Sequence, residues 1–274
     1  MARRALCVGI NKFAHYPQFT LSGCVNDARD MAALCKSLLG FKAPEVAVLV
    51  DAQATKAAVM AQLQGAVAEA RAGRLSHIVF SWSAHGTQVI DRSGDEPDGM
   101  DEAFVPHDIA EKSGDWDPEH IITDDELHDL LRQIPESVLL EVYLDTCHSG
   151  AGLRGAEFGV HAPRARFVAP PGVQVLGKPR EVAGFALARA AEAPAANHIL
   201  WSGCKANQSC ADAYFEGRYN GAFTHHYVKA MTATQNKLSR GAVMVQVRAA
   251  MKGQFAQEPQ LECSAGHRHS AVAG

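Results

Sequence analysis

Apolar positions in this chain follow two alternating patterns. Short continuous runs occupy residues 4–10 (RALCVGI), 46–50 (VAVLV), 77–82 (HIVFSW), 138–144 (VLLEVYL) and 197–203 (NHILWSG). Runs of that length predict strands buried on both faces. Between them the apolar spacing is helical. Residues 22–39 place Ala28, Met31, Ala32, Cys35, Leu38 and Leu39 on one face and stop at Gly40. Thr55 caps a predicted helix through Arg71, in which Val59, Leu63 and Val67 recur every four residues. The segment TDDE opens another helix at 123–132, with Thr123 and Glu126 as a capping box. Two more helices are predicted at about 219–233 and 240–252. Strand–helix alternation predicts an α/β fold with right-handed crossovers and a mainly parallel sheet. In such sheets ligands bind beyond the carboxyl ends of the strands. Residues 151–196 are rich in Gly, Pro, Arg and Ala and read as a long irregular exposed loop. No internal repeat divides the chain, so 1–274 reads as a single domain.

Composition narrows the functional classes. Of 274 residues 47% are apolar and 20% charged, with a net charge of −4. That balance supports a sizeable core and gives no general pull towards nucleic acid or an anionic membrane. No run reaches the ~18 apolar residues of a spanning helix. The start, MARRALCVGINKF, lacks the apolar stretch of a secretory leader. The seven cysteines, at 7, 24, 35, 147, 204, 210 and 263, are odd in number and widely spaced. They predict reduced thiols and a cytoplasmic location. The absence of any C-x-x-C pair argues against a zinc ribbon.

Chemistry concentrates where two apolar runs end. The third runs into SWSAHGTQ and the fourth into DTCHSG, which puts His85 and Cys147 just past two strand ends. A lone buried cysteine or histidine is ordinarily inert. Two of them, each past the carboxyl end of a predicted parallel strand and near a glycine (Gly86, Gly150), form a candidate dyad if those strands are neighbours. A nearby imidazole activates a thiol, and backbone N–H groups beside glycines can hold an oxyanion. His148 is a weaker partner, because neighbouring side chains on extended backbone point apart. A metal site from His85, Cys147 and His148 has poor geometry for the same reason.

SAHGTQ, DTCHSG and GCVNDARDM together resemble the metacaspases, the caspase-like cysteine peptidases of plants, fungi, protists and bacteria. The resemblance runs from ALCVGIN to HILWSGCKANQSCADAYFEGRYNGAFTHHYVKAM and is closest to a bacterial-type stand-alone catalytic domain. It implies the caspase-hemoglobinase fold, with helices on both faces of the sheet. It also implies a cysteine endopeptidase in which His85 matches the catalytic histidine and Cys147 the nucleophile, acting through a thioester. Gly86 and Cys147 would supply the oxyanion-hole N–H groups. Cys24, Asp27, Ser83 and Asp145 match the residues lining the S1 pocket. Two converging carboxylates there favour a cationic P1 side chain, hence cleavage after Arg or Lys.

The resemblance further implies calcium as an activator, with Asp101, Asp124 and Asp125 as its ligands and no cofactor for the chemistry. Near Arg154, where relatives carry another acid, this chain has none closer than Glu157. Arg154, Arg164, Arg166, Lys178 and Arg180 in the irregular segment are candidate self-cleavage sites. Expected partners are protein or peptide substrates with a basic P1 residue, and a regulatory protein; the expected state is a monomer. The competing reading is a catalytically silent scaffold that binds a protein partner.

Overall fold

The computed structural model describes residues 1–91, 99–147, 162–171 and 196–272. The first half alternates as expected: β1 (Ala2–Gly9), α1 (Cys24–Ser37), β2 (Val46–Val50), α2 (Lys56–Arg71) and β3 (Leu75–Ser83). Thr55 caps α2 by accepting from the Ala58 N–H. Next come β4 (Gly86–Ile90), β5 (Met100–Phe104), the short pair β6 (Glu111–Lys112) and β7 (Asp115–Trp116), β8 (Ile122–Thr123) and α3 (Asp124–Leu131). The predicted capping box of Thr123 and Glu126 is formed in both directions. The remainder comprises β9 (Leu139–Asp145), β10 (Arg164–Ala165), β11 (His198–Ser202), β12 (Ala211–Phe215), β13 (Arg218–Gly221), α4 (Ala222–Thr234), α5 (Arg240–Met251), β14 (Gln260–Glu262) and α6 (Ala265–Arg268).

The principal sheet has the order β14-β11-β9-β3-β1-β2. All its pairings are parallel except β11 with β14. Alternation along each strand serves two cores. Leu6, Val8, Phe80, Trp82 and Val142 face α2 and α3. Ala5, Cys7, Val79, Tyr143, Ile199 and Trp201 face α1, α4 and α5. Both faces are therefore covered, which is why these strands read as unbroken apolar runs.

Two smaller sheets extend the carboxyl edge. One has the order β4-β5-β8 and the other β10-β12-β13. Two expectations change here. The helix predicted from about 219 starts at Ala222, because residues 218–221 form the second strand of a hairpin. Its turn is Glu216–Gly217, both at positive φ. The irregular segment is also not uniformly exposed. Arg164 and Ala165 pair antiparallel with Asp212 and Ala211, and Arg166 is fully buried.

Candidate active site

β3 and β9 are direct neighbours, with Ser83 paired to Asp145 in register. His85 and Cys147 each follow two residues later, so both lie past the carboxyl edge of the sheet, and both are buried. The His85 Nε2 donates to the main-chain carbonyl of Phe19 at 2.7 Å. That bond places the imidazole proton on Nε2 and leaves Nδ1 as the acceptor. Nδ1 is buried with no hydrogen-bond partner among the described residues. Burial lowers the His85 pKa to about 4, against the raising influence of the Phe19 carbonyl and of Cys147. The ring is neutral at physiological pH.

Cys147 behaves in the opposite way. Burial pushes its thiol up, but donors from Cys204 and Cys210 outweigh this and hold it well below the ordinary thiol range. The Cys210 main-chain N–H points at the Cys147 sulfur. A thiolate here is stabilised mainly by neighbouring donors.

Beside this pair lies a buried acidic pocket, and Arg166 fills it. Its Nη1 donates to Ser83 Oγ at 2.7 Å and to the Asp145 carbonyl at 3.0 Å. Its Nη2 donates to Asp27 Oδ2 at 2.7 Å and to Asp212 Oδ1 at 3.0 Å. Nη1 also lies 3.1 Å from Asp145 Oδ1. Each acid is fixed from behind. Asp27 Oδ1 accepts from Asn220 Nδ2 and the Gly221 N–H, and Ser83 Oγ donates to Asp27 Oδ2. Asp145 Oδ2 accepts from the N–H and hydroxyl of Thr224, at the start of α4. Asp212 accepts from the N–H groups of Ser22 and Gly23. Gly221 forms one wall: a Cβ there would sit 2.1 Å from Asp145 Oδ2 and 2.4 Å from Arg166 Nη1. Burial raises the Asp145 pKa to about 6, with Arg166 pulling it down and Asp27 pushing it up.

The backbone of the Arg166 segment is held as firmly as its side chain. The Arg166 N–H donates to the Cys210 carbonyl at 3.1 Å. The Arg166 carbonyl accepts from the N–H groups of Gly86 at 2.9 Å and Cys147 at 3.3 Å. Val168 N–H donates to the Gly86 carbonyl at 2.9 Å. The segment thus lies across the site as an added strand, a mode in which main-chain bonds hold the peptide and a pocket reads one side chain.

Of the residues singled out from sequence, Ser83, His85, Gly86, Asp27, Asp145 and Cys147 converge here. Cys24 is buried at the start of α1; burial pushes its thiol up, against the pull of the Arg166 charge. Asp101 on β5 and the pair Asp124 and Asp125 on α3 lie away from the dyad, on adjoining elements. Ala103 pairs antiparallel with Thr123, a register that runs Asp101 towards Asp125. Arg164 sends Nη1 to the Thr20 carbonyl and stays outside the acidic pocket. Arg154, Lys178, Arg180, His148, Gly150 and Glu157 lie outside the described residues. The sequence reading missed Asp212, the Phe19 carbonyl and the two neighbouring thiols. The E-G turn within ADAYFEGRYNG is a hairpin signal that would have put Asp212 on a strand near the site.

Among the described residues, no helix is long and apolar enough to cross a membrane. In solved structures, the chain is similar to protein GSU0716 from Geobacter sulfurreducens, with a TM-score of 0.70 and 26% identity over 98% of this chain and 97% of that one. It shares a fold with caspase-1 from Spodoptera frugiperda, at a TM-score of 0.57 and 11% identity over 95% and 88% of the two chains. Over 96% of its length it is 28% identical to Metacaspase-1 of Cryptococcus neoformans and to Metacaspase-1 of Saccharomyces cerevisiae. It spans 62% and 66% of those two relatives. The profile of the family described as Metacaspase, peptidase C14 domain matches residues 3–154, more than half of the chain. With its caspase-like fold, this chain belongs to the metacaspases, a family of cysteine-type peptidases.

Proposed function

We propose that this chain is a cysteine endopeptidase that cleaves after Arg, and less efficiently after Lys, and that the Arg166–Phe167 bond of its own chain is its first substrate. One observation carries the reading. Arg166 holds its guanidinium among three carboxylates while its carbonyl accepts from the Gly86 and Cys147 N–H groups. A scissile carbonyl needs that pairing of side-chain pocket and oxyanion donors.

In this reaction the Cys147 sulfur attacks the Arg166 carbonyl carbon, and the developing oxyanion is stabilised by the two N–H groups. His85 Nδ1, which has no hydrogen-bond partner among the described residues, takes a proton from solvent as the thiolate attacks and gives it to the departing Phe167 nitrogen as the C–N bond breaks. The Phe19 carbonyl keeps the other ring nitrogen protonated and the ring oriented. Water, deprotonated by Nδ1, then hydrolyses the thioester and returns the thiolate. Until cleavage, Arg166 blocks the pocket against other peptides. Preference for Arg over Lys follows from the planar fork, whose two terminal nitrogens meet acceptors on different sides.

Calcium fits the reading as an activator. Asp101, Asp124 and Asp125 would hold it with oxygen donors only, which suits a hard cation. The expected setting is the cytoplasm and the expected state a monomer.

The test is mass spectrometry of purified wild type, Cys147→Ala and Arg166→Gln. Wild type should yield fragments ending at Arg166 and starting at Phe167, and both variants should stay intact at that bond. An intact wild-type chain that also leaves Arg peptides uncut would favour the scaffold reading.

A further inference from the structure

The proposed reaction uses one thiol, yet three meet at the site. The sulfurs of Cys147, Cys204 and Cys210 all lie within 4.8 Å of one another. Cys204 Sγ and Cys210 Sγ are 3.1 Å apart, and Cys210 Sγ is 3.1 Å from the Thr146 carbonyl. The turn that carries them is braced. The Gln208 side chain accepts from the Lys205 and Glu258 N–H groups and donates to the Ala256 carbonyl. Cys204 is partly exposed, while Cys147 and Cys210 are buried.

From this geometry we propose that Cys147, Cys204 and Cys210 form a binding site for one thiophilic divalent cation of the zinc class, and that filling it silences the nucleophile. Tetrahedral zinc with ~2.3 Å bonds to sulfur separates its ligand sulfurs by roughly 3.8 Å. The three thiols therefore need only small side-chain adjustments. An all-sulfur set selects soft or borderline cations and rejects calcium, which separates this site from the acidic one on β5 and α3. Three protein ligands leave a fourth position for water. Binding takes the thiols as thiolates and expels their protons. Affinity should therefore rise with pH. Cation binding itself does not depend on the peptidase reading; only its inhibitory consequence does.

The experiment titrates full-length protein, kept reduced by a phosphine, with Co2+ and then with Zn2+ against a chromophoric chelator. Wild type should bind one equivalent and show thiolate-to-cobalt charge transfer. Cys147→Ala, Cys204→Ser and Cys210→Ser should each weaken binding at least ~10-fold, the smallest effect expected for removing a direct ligand. With an Arg peptide as substrate, Cys204→Ser should need at least ~10-fold more zinc than wild type for half-inhibition, each protein measured against its own rate in chelator. Absence of the charge-transfer band in wild type would overturn the site. So would equal zinc sensitivity of wild type and Cys204→Ser, which would place the cation on Cys147 and His85 alone. The cobalt spectrum is read without turnover, so failure of the peptidase reading leaves it interpretable.

Discussion

Ser83 and Asp145 stand opposite each other in the parallel register of β3 and β9, and both bear on Arg166. Two residues beyond each lie His85 and Cys147. One register thus fixes a pocket and a dyad at once, and a slip between the strands would dismantle both.

The pocket predicts a graded loss of specificity. Asp27→Asn and Asp212→Asn each remove one charge facing the guanidinium while keeping its shape. Losing one partner of a buried charge pair costs several kcal/mol. We expect kcat/KM for an Arg peptide to fall at least ~100-fold in Asp27→Asn. If steady-state kinetics showed Arg and Lys peptides cut at wild-type rates, the acids would not read P1.

Thiol ionisation gives a second check. Rates of iodoacetamide alkylation of Cys147 in processed protein should titrate with a midpoint well below the ~8.5 of an unperturbed cysteine. Cys204→Ala should move that midpoint upward, because the Cys204 donor is the leading influence lowering it. A profile matching free cysteine in both proteins would contradict the account of the thiolate.

Acid should destabilise the fold. Burial lowers the pKa of His77 to about 3, and of His85, His198 and His226 to about 4. Unfolded histidine titrates near ~6.5, so between that pH and about 4 the unfolded chain binds protons that the native state refuses. Stability is therefore present above ~6.5 and lost as pH falls through this window. Asp145, raised to about 6, works the other way, as do Glu141 and Glu262, whose carboxyls burial also pushes up. The histidines outnumber them, since burial lowers His225 and His267 as well. Urea midpoints should drop between pH 7 and pH 5 in Cys147→Ala, which avoids self-digestion. A flat or rising midpoint would refute the assignment.

The proposed calcium site on β5 and α3 predicts a calcium response. Peptidase rates should rise in millimolar calcium, and Asp101→Ala should abolish the response while leaving the basal rate in chelator. Equal wild-type rates in calcium and chelator would remove calcium from the scheme.

Much of the architecture was legible in the residues because doubly covered strands must be apolar along their length. VAVLV and HIVFSW could be little else, and the strands ending at Ser83 and Asp145 pointed to the crevice. The strands of the small sheets were not legible. β8 and β10 have two residues each, and β12 carries Asp212, so neither length nor pattern marks them. The burial of Arg166, named from sequence only as one of five candidate self-cleavage sites, was hidden for another reason. Composition assigns an arginine in a Gly- and Pro-rich stretch to the surface, and only carboxylates distant in sequence, at 27, 145 and 212, overrule that. The Phe19 carbonyl is backbone, so no side-chain motif announces it.

The placement of Arg166 in its own chain's cleft has a kinetic consequence. Encounter is replaced by tethering, so maturation under the proposed reaction is first order, and its half-time should be the same in dilute and concentrated protein. A single molecule, alone in a large volume, would switch itself on as fast as a crowd of them.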